Sequence, residues 1–225
     1  MIDMPAVVES VQNIDWGQVQ SAVEDYGPAI EIIKKTWSRE SFREILSGHI
    51  AVPDSVINEA IADRISGDGN VKSLTVTSRK NGRLDLLADT RSAGRVELSG
   101  TIDAFVHDGE HSYMTYHVRE RALKDHGLMS WFFSRISLSM TERLFGHIEL
   151  SDDLPTQIHG NSVTVDFHEL LSQSDLGKTS LMGYSLMDMV HIEKAEPHDG
   201  YVEFQTDLQV PAEVRQMLVN ILLKG

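Results

Sequence analysis

A short helix followed by a β-hairpin is written twice into this chain, and that recurrence constrains the fold more than any other feature. Gly82, Leu84, Leu86 and Asp89 match Gly200, Val202, Phe204 and Asp207 at a constant offset of 118 positions. Upstream, Leu74 and Val76 correspond to Val190 and Ile192, with two extra residues in the second copy. The helix-like runs 56–65 and 167–176 precede the two hairpins. Asn81-Gly82 between alternating apolar runs is a strong hairpin signal, because a type I′ turn needs positive φ at both central positions.

The period changes along the chain in the way an α+β protein requires. Ile57, Ile61 and Ile65 recur at spacing four behind the helix-start signal Pro53-Asp54-Ser55, and from Leu74 the period falls to two. A second hairpin is expected with Val96, Leu98, Ile102 and Ala104 on one face, a two-residue Asp108-Gly109 turn, and Met114, Tyr116 and Val118 returning. Residues 127–145 read as a long helix striped by Leu128, Phe132, Ile136, Met140 and Leu144. Ile148 and Leu150 read as a strand, Gly160-Asn161 as a turn into Val163 and Val165, 168–175 as a short helix, and the stretch after Pro211 as a last amphipathic helix.

The first 47 residues are helical in pattern. Val8, Val11, Ile14, Val19 and Val23 recur at helical spacing, Gly27-Pro28 interrupts them, and Ser38 is placed to cap a short helix carrying Phe42, Ile45 and Leu46. The expected organisation is therefore an N-terminal helical arm over 1–47 packed on an α+β repeat domain over 48–225. In that domain a curved antiparallel sheet, built from two helix-plus-hairpin units, carries the long helix on one face. Single strands alternating with helices, the mark of a parallel doubly wound sheet, are absent.

Chemistry is less legible. Asp and Glu outnumber Lys and Arg by 34 to 20, and a net charge of −14 repels phosphate backbones, so no nucleic-acid partner is expected. The chain has no cysteine, which removes disulfides, thiolate metal sites and thiol nucleophiles. Gly177-Lys178-Thr179 lacks the first glycine of a phosphate-binding loop, Gly183-Tyr184-Ser185 lacks the second glycine of a nucleophile elbow, and no HExxH occurs. His107 and His111 bracket an expected hairpin tip, where solvation is a simpler role than metal binding. No catalytic residue, metal or cofactor is expected. No segment reaches the roughly 18 consecutive apolar residues of a membrane span. Residues 1–15 carry no basic-then-apolar leader pattern, so the sequence as it stands reads as cytoplasmic, or periplasmic if a leader was removed.

The apolar residues carry the functional expectation. Trp131, Phe132 and Phe133 are consecutive, so on a helix they face more than one side, and Met182, Met187 and Met189 surround the second unit with flexible thioethers suited to irregular cavities. The order of elements resembles the tubular lipid-binding (TULIP) superfamily, most closely its small bacterial members. The first unit of those proteins has a helix with a central Asn ending near the first strand, and Ile57-Asn58-Glu59-Ala60-Ile61 followed by Val71 to Val76 is similar. The resemblance implies a hydrophobic groove between helix and sheet that holds an acyl chain or another elongated apolar molecule. The expected lining is Leu74, Val76, Leu98, Trp131, Phe132, Ile136, Met187 and Phe204. The alternative is a structural or interaction domain with a packed core, whose protein partner binds residues 1–47.

Overall fold

A computed structural model describes residues 27–63, 65, 71–91, 94–123, 138, 140 and 154–224. The helix expected before Gly27, most of that over 127–145 and the strand at 148–150 lie outside the described residues. Their elements in chain order are α1 (Gly27–Thr36), α2 (Arg39–Ser47), β1 (His49–Pro53), α3 (Asp54–Ala62), β2 (Val71–Arg79), β3 (Arg83–Thr90), β4 (Gly94–His107), β5 (Ser112–Leu123), β6 (Thr156–His159) and β7 (Ser162–Asp166). There follow α4 (His168–Gln173), α5 (Asp175–Lys178), the strand pair β8 (Ser180–Leu181) and β9 (Tyr184–Ser185), a 3-10 turn (Met187–Met189), β10 (Val190–His198), β11 (Tyr201–Leu208) and α6 (Ala212–Val219). A π-helical turn, Asn220–Lys224, continues α6. The protein is mixed helix and strand around an open antiparallel sheet.

That sheet has nine strands and branches at β4. One path runs β1-β11-β10-β4-β5-β7-β6, and a side branch adds β3 and then β2. Branching follows from the length of β4: residues 94–101 pair with β3, while His107 at its far end pairs with Ile192 of β10 along the same edge. The two hairpins of the sequence repeat therefore meet β4 differently, the first through its second strand and the second through its first.

Local chemistry explains the turns. Asn81 and Gly82 both take left-handed φ, 63° and 71°, between β2 and β3. Ser38 caps α2, its Oγ accepting from the Ser41 amide at 3.0 Å. The β4–β5 connection departs from the sequence expectation. His107 pairs with Ser112, leaving four residues in the loop instead of two. Asp108 is the cause: its Oδ1 accepts from the amides of Glu110 and His111 at 3.1 and 2.7 Å, which holds a wider turn than Asp-Gly alone forms.

Two apolar clusters organise the molecule. The first lies where α1, α2, α6 and the π-helical turn meet the end of β11. Ile33, Phe42, Leu181 and Leu218 are fully buried in it, with Trp37 stacked 6.1 Å from Phe42. The second occupies the inner face of the sheet and gathers Val76, Leu84, Tyr116, Val118, Leu138, Ala195 and Val202. The apolar positions of residues 29–46 thus belong to a core shared with the C-terminal helix.

Candidate functional site

The sheet's inner face is built by strand alternation, interrupted by bulges, one of which places an aromatic residue in its lining. Leu84 and Leu86 on β3 lie opposite Gly100 and Leu98 on β4, and Ile102 lies opposite Tyr116 on β5. A bulge between Ile102 and Ala104 then shifts the register. It turns Phe105 to the inner face in place of Ala104, the residue the regular alternation puts there. Phe105 stands 5.0 Å from Phe204 in an edge-to-face contact and 5.4 Å from Phe167, both favourable aromatic geometries. Met114 and Val163 extend the same surface.

Of the expected lining, Val76 is buried in this cluster, and Leu98 and Phe204 pack against it half-buried. Leu74 stands on β2 two residues before Val76, half-buried and outside the cluster. Met187 is buried in the 3-10 turn, also outside it; its carbonyl accepts from His107 Nε2 at 2.9 Å and its sulfur lies 3.8 Å from Ser172 Oγ. Trp131, Phe132 and Ile136 lie outside the described residues. Phe105 and Phe167 were not among the expected residues. The bulge hides Phe105 from a period-two reading, which sets it on the polar face beside Asp103; the cue in the sequence is Phe105 itself, an apolar side chain at a polar position.

Tyr116 and His107, two polar side chains within the core, are each satisfied by hydrogen bonds. Tyr116 is 2 % exposed, its hydroxyl donates to the Leu84 carbonyl at 2.7 Å, and burial pushes its phenol well above the ordinary range. His107 is buried and not a solvated hairpin tip. Besides the Met187 carbonyl it bonds Ser112 Oγ through Nδ1 at 2.8 Å, so both ring nitrogens are occupied. His111 is exposed and pairs with Asp108 at 3.4 Å.

The outer face is polar. Asp85 accepts from Ser99 Oγ at 2.5 Å and Arg79 Nε at 2.8 Å, and Arg83 bonds both Ser99 and Glu120. Burial pushes the Asp85 carboxyl up. The two hydrogen bonds and the charges of Arg79 and Arg83 outweigh it and hold the group below the usual carboxylate range. Two shallow grooves score this face. One of about 280 Å³ lies between Gly48, His49, Lys194, Glu196, Glu203 and Gln205. One of about 230 Å³ lies between Tyr113, Pro155, Gln157, Thr164 and Asp166. Among the described residues no three metal-ligating side chains converge, and no helix is long and apolar enough to cross a membrane.

Compared with protein-family models, curated proteins and solved structures, the chain matches none.

Proposed function

We propose that this chain is a non-catalytic binding protein that takes an elongated, lipid-like molecule against the inner face of its sheet. The observation that carries the reading is incomplete cover. Leu86, Leu98, Ile102, Phe105, Met114 and Phe204 all pack on the inner cluster, yet none is buried to the level of Val118 or Val202. Apolar side chains left partly open beside a core favour a ligand of the same chemistry, and each methylene transferred from water contributes about 0.8 kcal/mol. A chain of a dozen methylenes therefore has about 10 kcal/mol to set against the cost of its immobilisation.

The resemblance to tubular lipid-binding proteins supports the same surface. In this reading two helix-and-hairpin units meet one edge of β4, and the ligand lies on the inner face that they share with β5. Leu138, 1 % exposed, belongs to the inner cluster on that face. In the alternative, a partner binds residues 1–47, of which the apolar stripe of α1 and α2 belongs to the cluster shared with Leu218 and Leu222.

Native mass spectrometry of the purified chain, before and after organic extraction, tests the proposal. Extractable mass bound to the folded chain, and its replacement by added fatty acid, is the expected result. A chain that carries no extractable lipid and takes up no fluorescent fatty acid at micromolar concentration contradicts it.

A further inference from the structure

The outer edge of β2 ends the side branch of the sheet, and its backbone groups are met by side chains and by the turn between β10 and β11 instead of a strand. Asn58 on α3 donates from Nδ2 to the Val76 carbonyl at 2.9 Å and accepts the Val76 amide on Oδ1 at 2.7 Å. Two positions on, Asp54 Oδ2 accepts the Ser78 amide at 2.7 Å, and the Gly200 amide reaches the Ser78 carbonyl at 3.2 Å. One amide side chain thus makes the pair of bonds that a neighbouring antiparallel strand would exchange with Val76. The Leu74 groups point the same way by alternation, since Leu74, Val76 and Ser78 lie opposite Ala88, Leu86 and Leu84 of β3.

The guarding helix is held lightly. No residue of α3 is buried, Val56 is 51 % exposed, and only Ile57 and Ile61 lean on the inner cluster. Nor is the seal complete: Asp54 Oδ1 and Ser78 Oγ are buried with no hydrogen-bond partner among the described residues. An edge strand that loses its cover is a template for another strand.

We propose that the outer edge of β2 is a strand-pairing site for a second copy of this chain, and that Asn58, with Asp54, keeps it closed. The edge is self-complementary. Antiparallel pairing with Val76 opposite Leu74 of the second copy sets Thr75 against its own counterpart, whereas a slip that brings Val76 opposite Val76 sets Leu74 against Ser78. Thr75 is exposed on the outer face, where like residues can pair.

The test uses the full chain with Asn58→Leu, which keeps side-chain size and removes both bonds. The variant is expected to self-associate at least about tenfold more tightly than the parent in sedimentation, a difference of 1.4 kcal/mol. Its Val76 amide should exchange fast when dilute and become protected as concentration rises. Because the chain has no cysteine, Thr75→Cys adds a single reporter. Opposed non-hydrogen-bonded positions suit a disulfide, so the reporter should cross-link copies in the Asn58→Leu background and not in the parent. A folded Asn58→Leu chain that stays monomeric, with a Val76 amide that exchanges fast at every concentration, overturns the proposal. Should Asn58→Leu fail to fold, Asp54→Ala carries the same test through the Ser78 amide, with the same two outcomes.

Discussion

At Gly100 a Cβ would overlap the His117 carbonyl oxygen and lie 2.9 Å from Tyr116 Cζ, so the close approach of β4 and β5 depends on a missing side chain. Backbone cannot swing aside as a flexible side chain does. Gly100→Ala is expected to destabilise the fold by at least about 2 kcal/mol, read as a lower urea midpoint at unchanged slope. Asp85 gives a pH signature. Its folded-state carboxyl titrates below its unfolded value, so its contribution is complete above about pH 5 and is lost as pH falls through the folded value. Asp85→Asn should lower the urea midpoint at neutral pH, with a deficit that closes as pH falls through the folded-state value. A deficit that is constant with pH would show that Asp85 contributes through shape alone. Neither effect is visible in sequence, because Gly100 sits inside an alternating strand and Asp85 finds Ser99 only through the register of β3 on β4.

Elements were legible where the chain states its own boundaries. Asn81-Gly82, Ser38, Pro53-Asp54 and Pro211 each mark a turn or helix start by local chemistry that needs no partner. The short strands β1, β8 and β9 carry no such signal, and β6 carries only the Gly160-Asn161 turn that closes it. β1 exists because Ile50 and Val52 find Phe204 and Val202 across the gap to β11, a pairing some 150 residues away in sequence. The bulge in β4 was hidden for the same reason, and with it the place of Phe105. On this scale the helices α1 and α2 are core elements. Phe42 is fully buried between them and the C-terminal helix, and Phe42→Ala should cost about 3–5 kcal/mol, seen as a lowered Tm. A loss under about 1 kcal/mol would mean that the first cluster contributes little to global stability.

For the whole molecule, the arrangement separates two tasks. The cluster at the end of β11 is closed by three helices and holds the fold, while the inner face of the sheet keeps Leu98, Phe105 and Phe204 partly open. Of the candidate site, the β2, β4 and β11 positions Val76, Leu98 and Phe204 were readable from alternation; the residues that join them through non-local register were not. The central claim is that this face binds an apolar chain. Titration of the delipidated protein with a fluorescent fatty acid, alongside Leu98→Glu checked for native circular dichroism, measures it most directly. The account predicts saturable micromolar binding by the parent and at least about tenfold weaker binding by the variant, since a carboxylate in an apolar groove costs at least about 1.4 kcal/mol. Equal binding by the two folded proteins, or none by either, would contradict it.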